Sequence, residues 1–273
     1  MNQLDKLGLI AGRGTYPLLL AASAKRQGVR RLVVIAFRGE TERAIERLAD
    51  EVCWLRVGQL NALLEALRTR GVTQAIMAGQ ILPTHLFRLR PDRRALGLLA
   101  SLRVRNAHTI FDAIGAELST VGVQLLPAYL FLESALPVPG CLSRRQPSPE
   151  QQADIALGCR VAKTTSGLEI GQTVVIKQGT ILAVEAFEGT DATLLRAGRL
   201  GGPGAVVVKV AKRGHDNRFD IPVVGLQTLR VLKKIRAAVL ALEAGRTILL
   251  EREKMIALAD RLGLVLTAVS AED

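Results

Sequence analysis

Short apolar runs alternate with helix-like segments through most of this chain, and that alternation limits the folds open to it. Residues 6–11, 31–37, 52–57 and 74–79 are compact apolar runs. Between them, residues 18–27 and 60–70 carry apolar side chains at helical spacing. Strands alternating with helices fold as βαβ units on a mostly parallel sheet. A break follows at residues 133–149, where Pro137, Pro139, Gly140, Pro147 and Pro149 collect. The expected organisation is α/β: an N-terminal Rossmann-like parallel-sheet domain over residues 1–132, a linker at 133–149 and a C-terminal mixed α/β domain over 150–273. In the second domain the pattern predicts a helix over 150–164 and a hairpin turning at Gln178-Gly179. A short helix over 192–199, a strand over 206–210, one long helix over 227–243, a strand over 246–250, a helix over 254–262 and a last strand over 264–269 follow.

Composition narrows the function. The net charge of +12, from 37 Lys and Arg against 25 Asp and Glu, favours an anionic partner. Nucleic acid is not expected: aromatics make up only 3% of the residues, and no zinc-finger spacing is present. Cys53, Cys141 and Cys159 are scattered and odd in number, which reads as packing residues in a reducing compartment. No secretory signal and no apolar run of membrane-spanning length is visible, so the expected location is the cytoplasm. Residues 84–105 carry Arg88, Arg90, Arg93, Arg94, Arg103 and Arg105 against Asp92, with Ala95, Leu98, Leu99 and Leu102 on one helical face. Such a segment is either a solvated helix with a core face or a basic amphipathic surface for an anionic membrane. His85 and His108 read as surface residues.

Two acidic places stand out because apolar strands usually avoid unpaired carboxylates. In the stretch 184–191, Glu185, Glu188 and Asp191 follow an apolar strand, and Glu185 and Glu188 would point to opposite faces if that strand continued. Thr190 is an expected helix N-cap with Asp191 in the first turn, so the motif serves either plain capping or a phosphate at the helix N-terminus. Asp220 stands between Phe219 and Ile221, preceded in sequence by Lys209 and Lys212. Carboxylates of this kind suit Mg²⁺ or Mn²⁺, and lysines beside them neutralise a diphosphate. In the first domain, Gly12 and Gly14 after the first strand, and Gly79 and Gln80 after the fourth, lie at the carboxyl edge where parallel sheets bind ligands. The match to a dinucleotide fingerprint is poor, because a third glycine is missing and Pro17 intrudes. That disfavours a nicotinamide oxidoreductase beside two other readings of the glycines, a turn offering amides to an anion and a plain strand-to-helix turn.

Taken together, these residues resemble the LpxI-type UDP-2,3-diacylglucosamine pyrophosphatases. The resemblance rests on Val184-Glu185-Ala186-Phe187-Glu188-Gly189-Thr190-Asp191, on Lys209 to Lys212 and on Arg218-Phe219-Asp220-Ile221-Pro222-Val223-Val224-Gly225. Leu9 to Gly14 with Pro17, Ala78-Gly79-Gln80 and Leu168 to Gln172 add to it. It implies a two-domain enzyme of lipid A biosynthesis that uses a divalent metal, Mg²⁺ or Mn²⁺, to release UMP and 2,3-diacylglucosamine 1-phosphate. The residues it implies are Asp220, Asp191 and Glu188 as catalytic groups, Asp220 and Asp191 as metal ligands, and Gly12, Gly14, Gly79, Gln80, Thr190, Lys209 and Lys212 as substrate contacts. The implied partners are the UDP-linked diacylated glucosamine lipid and an anionic inner-membrane surface, with room for a homodimer. The chain departs from the family at Arg105-Asn106-Ala107-His108, where many members carry Gly-Asp-Asp. A non-catalytic nucleotide-lipid or lipid-binding protein is the alternative that this departure favours.

Overall fold

A computed structural model describes residues 4–81, 91–104, 106–219 and 221–271. Two compact units result: Met1–Leu132 with Asn217–Phe219, and Glu133–Asp216 with Asp220–Asp273.

The first unit carries β1 (Lys6–Ala11), α1 (Tyr16–Arg26), β2 (Arg31–Phe37), β3 (Glu51–Leu55), α2 (Leu60–Thr69), β4 (Gln74–Ala78), α3 (Arg93–Ser101), α4 (Ala107–Thr120) and β5 (Gln124–Leu125). Its strands form one parallel sheet in the order β3-β2-β1-β4-β5. The chain builds outward from β1 to β3, then returns to β4 beside β1. The β1/β4 boundary is therefore the topological switch point, where such sheets bind ligands. β1 and β2 are buried along nearly their whole length, as a sheet covered on both faces requires. Ile10, Val33, Ile35 and Met77 join Leu64, Leu67 and Leu118 in one core.

The basic segment at 84–105 is described only in part, since residues 82–90 and Arg105 lie outside the described residues. In α3, Ala95 and Leu98 are buried in the same core, with Leu99 and Leu102 packed against it. Arg94 pairs with Glu117 of α4 at 2.6 Å. The apolar face of α3 thus covers its own domain, as an ordinary amphipathic helix does. Asn106, at the position of the missing Gly-Asp-Asp, caps α4 by accepting from the Thr109 amide at 2.9 Å.

The second unit adds β6 (Gly140–Cys141), α5 (Pro149–Gly167), β7 (Thr173–Lys177), β8 (Thr180–Val184), α6 (Thr190–Gly201), β9 (Val206–Lys209), β10 (Val223–Val224), α7 (Leu226–Ile235), β11 (Val239–Glu243), β12 (Ile248–Leu249), α8 (Arg252–Leu262) and β13 (Val265–Val269). Six strands form a mixed sheet in the order β6-β13-β11-β9-β7-β8. β9, β11 and β13 run parallel, and β7 and β6 run antiparallel to their neighbours. The hairpin turns at Gln178 (φ 50°) and Gly179 (φ 74°), the two left-handed residues of a type I′ turn. Both turn amides donate to the buried Asp154 carboxylate, at 2.9 and 2.7 Å. Val206, Val208, Val239 and Ala241 pack under α5, while Val207, Leu240 and Leu242 pack under α6, α7 and α8.

Three local expectations are corrected. Residues 227–243 are not one helix: α7 stops at Ile235, and residues 239–243 are the central strand β11. The expected 246–250 strand is confined to Ile248–Leu249, paired only with β10. Among the described residues of the apolar stretch after Arg218, only Val223–Val224 form strand.

Candidate functional site

The carboxyl edge of β9 and β11 gathers the buried lysines of the second unit and the carboxylates paired with them. β9 ends at Lys209, whose neighbour across the ladder is Thr173 of β7. Alternation puts Lys209 on the face of Val207, beneath the start of α6. Its ammonium donates to Thr190 Oγ1 at 2.9 Å and to Thr173 Oγ1 at 3.4 Å, and lies 3.9 Å from Glu185 Oε2. Thr190 Oγ1 in turn donates to Glu185 Oε1 at 2.7 Å. The Lys209 and Glu185 side chains are only 10% and 13% exposed, so this is a shielded ion pair braced by two hydroxyls. Burial alone would raise the Glu185 pKa. The Lys209 charge, the Thr173 and Thr190 hydroxyls and the Gln172 amide outweigh it and hold the carboxyl below its ordinary value.

The backbone explains how Glu185 reaches this place. β8 ends at Val184, and the chain turns through Gly189 (φ 80°), which is the residue preceding α6. Thr190 is therefore the first helical residue and not the N-cap; its hydroxyl serves the ion pair. Glu185 and Glu188 do not lie on one strand with opposed faces. Gly171 lets the 185 backbone pass: a Cβ there would stand 2.1 Å from the Glu185 carbonyl oxygen.

The other described candidates of this unit have partners or places of their own. Glu188 pairs with Arg196 at 2.5 Å and accepts from Thr193 Oγ1 at 3.1 Å, and the Arg196 hydrogen bond lowers its pKa. Arg196 also donates to the Val184 carbonyl, so this group closes the turn. Asp191 lies in the first turn of α6, where a carboxylate complements the helix dipole. Lys212 pairs with Glu169. Asp220 lies outside the described residues.

Sequence reasoning missed a second buried pair at the same edge. Glu243 ends β11 on the opposite face, under α5. Its Oε1 meets Lys163 Nζ at 2.8 Å and Arg246 at 3.5 Å, and its Oε2 accepts from the Ala211 amide at 2.7 Å. Lys163 and Glu243 are 2% and 3% exposed. The Ala211 bond ties the chain two residues beyond Lys209. The signal was present as an acid closing the apolar run Val239–Leu242, but the helical reading of that run hid it.

In the first unit, the glycine residues meet at the switch point. Gly12 N donates to Ala78 O at 2.8 Å, Arg13 N to Gln80 O at 2.7 Å and Gln80 N to Arg13 O at 3.2 Å. The two loops are thus zipped together, and these amides are spent on each other. A Cβ on Gly12 would sit 2.6 Å from Gln80 O; one on Gly79 (φ +93°) would sit 2.8 Å from Arg13 O. Gly14 (φ +96°) has open space around it. Away from this edge, His108 is not isolated. It lies 3.3 Å from Asp112, which also meets Arg218 at 3.4 Å, and Phe219 stacks on Phe111 with centroids 5.6 Å apart.

Among the described residues, no three His, Cys, Asp or Glu side chains are grouped to hold a metal ion. Of the three acids in this stretch, Glu185 is committed to Lys209 and Glu188 to Arg196, which leaves Asp191 as the candidate cation ligand among them.

The descriptions of the LpxI N-terminal domain and the LpxI C-terminal domain match residues 6–135 and 138–267. The chain belongs to the LpxI family. The UDP-2,3-diacylglucosamine pyrophosphatase LpxI of Caulobacter vibrioides is 33% identical over 284 residues, covering 99% of each chain. The LpxI resemblance read from the motifs is therefore borne out along the whole chain. Among solved structures, N5-carboxyaminoimidazole synthetase from Staphylococcus aureus is 14% identical over 66% of this chain and 41% of its own, with a TM-score of 0.26. Phosphoribosylglycinamide synthetase from Anaerococcus prevotii is 12% identical over 65% and 37%, also at 0.26. Likeness at that level carries no argument about this LpxI member. No helix among its described residues is long and apolar enough to cross a membrane.

Proposed function

We propose that this chain hydrolyses the diphosphate of UDP-2,3-diacylglucosamine, with water, to UMP and 2,3-diacylglucosamine 1-phosphate, as a step of lipid A biosynthesis. The observation that carries the reading is membership of the LpxI family through both domains. The shielded Lys209 at the carboxyl edge of β9 supports it. In the reaction, water adds to one phosphorus, the bridging P–O bond breaks, and the water proton passes to a base. Charge grows on the phosphoryl oxygens as this happens. A cation pre-oriented by Thr173, Thr190 and Glu185 can stabilise that charge without reorganising. Asp220 is the proposed base or metal ligand, and Asp191 the second carboxylate for Mg²⁺ or Mn²⁺. The cation would polarise the phosphoryl oxygens. The enzyme works in the cytoplasm, at the inner-membrane surface where a diacylated substrate resides. Light scattering of the purified protein distinguishes a monomer from a homodimer.

The test is release of UMP from labelled substrate, with Mg²⁺, with Mn²⁺ and with chelator. Lys209→Met is expected to lower kcat on the order of a hundredfold or more, as loss of one preorganised group commonly does. Binding without turnover by the parent protein would leave the non-catalytic lipid-binding reading in its place. Normal turnover by Asp220→Ala would remove Asp220 from the mechanism.

A further inference from the structure

In the helical layer over one face of the second sheet, α7 is one-sidedly basic. α7 carries Arg230, Lys233 and Lys234 and is followed by Arg236, with no acid from residue 226 to residue 236. A groove lies on each side of it. The α7–α8 groove, about 850 Å³, is lined by Leu226, Leu229, Leu258 and Leu262 together with Arg230, Lys233 and Arg261, among others. The α6–α7 groove, about 380 Å³, combines Leu195, Pro203 and Ile235 with Arg199, Lys234 and Arg236. Leu200, next to Arg199, is 66% exposed.

The charges around these grooves are largely unneutralised. Lys254 is paired with Glu251, and Arg144 lies 3.5 Å from Asp260. Arg230, Lys233 and Arg261 make no ion pair among the described residues, and neither do Arg199, Lys234 and Arg236. Holding like charges on one face costs self-repulsion, which an anionic surface relieves. No aromatic side chain lines either groove, so nothing there would stack on a base. Cations around an apolar floor instead match phosphate headgroups above hydrocarbon.

We infer that the α6–α7–α8 face of the second unit docks on an anionic phospholipid bilayer surface. The inference rests on the proposed function to this extent: a lipid substrate gives the enzyme a reason to sit on a membrane. Docking through the grooves flanking α7 would place the cations at headgroup level and leave the carboxyl-edge site of β9 unused for binding the bilayer.

The test is sedimentation of the intact protein with vesicles of phosphatidylcholine alone and with vesicles that also contain phosphatidylglycerol. Binding is expected only to the anionic vesicles, and high salt should release it. The triple substitution Arg230→Gln, Lys233→Gln and Arg261→Gln should weaken partitioning on the order of a hundredfold. Hydrolysis of detergent-dispersed substrate should be unchanged. Equal binding to neutral vesicles, no binding to anionic ones, or partitioning untouched by the three substitutions overturns the inference. So does binding to duplex DNA, lost with the substitutions, in the absence of vesicle binding. If the variant fails to fold, salt release of the parent protein is the deciding measurement. Anionic vesicle binding without hydrolysis would sink the proposed function and leave this inference standing.

Discussion

The two units build their carboxyl edges from different materials. At the switch point of the first sheet, Gly12 and Gly79 let two loops cross at backbone distance, and the amides are satisfied by each other. No charged side chain takes part in those bonds. At the edge of β9 and β11 in the second sheet, two buried ion pairs take that place, Lys209–Glu185 on one face and Lys163–Glu243 on the other. The first edge is held by shape and the second by electrostatics. The two should therefore fail in different ways: one to an added methyl group, the other to a lost charge or a change of pH.

The largest effect is expected from Glu243→Leu. It removes the Glu243 carboxylate from the buried Lys163–Glu243 pair and the acceptor from Ala211 N, which costs about 3–5 kcal/mol. Thermal melting should fall by roughly 10 °C. A shift of a degree or two would show that solvent reaches Lys163 and that this edge is not electrostatically held.

Next comes Gly79→Ala, set against Gly14→Ala. Both sites have φ near +95°, but only Gly79 is met by backbone. Gly79→Ala should lose about 1–3 kcal/mol in urea unfolding, and Gly14→Ala clearly less. Equal losses would mean that conformational strain, not the close crossing, accounts for the glycine at 79. Gly171→Ala makes the same test beside Glu185.

A smaller effect separates the edges by pH. The folded pKa of Glu185 lies below its ordinary value of 4.5. Its pairing with Lys209 thus contributes stability above pH 4.5, and that contribution is lost as pH falls through the lower folded value. Compared with Glu185→Gln, the parent should be more stable at neutral pH, with the gap closing below about pH 4.5. Parallel melting curves at every pH would remove the ion pair from the stability of this edge.

The smallest effect belongs to Arg196→Ala. Its pair with Glu188 is half exposed, and such pairs contribute about 0–1 kcal/mol. Melting and UMP release should both stay close to the parent. A large loss of activity would show that Glu188 serves the reaction as well as the turn.

The alternation of strands and helices, the hairpin at Gln178-Gly179, the glycines at the strand ends and family membership were all legible in the amino-acid order. These are written in local grammar: runs, spacings and residues with special backbone freedom. Tertiary structure decided the rest. α7 ends at Ile235, and the next residue, Arg236, adopts φ 52° itself; with no glycine to mark the stop, helix and strand merged in the sequence into one apolar-basic stretch. That merger hid β11, and with it Glu243 and its distant partner Lys163. Thr190 carries the ordinary signature of an N-cap, yet Gly189 turns the chain and frees the hydroxyl for Glu185 and Lys209. Which charge meets which is set by strands far apart in sequence coming side by side, and burial then makes each of those meetings costly to undo.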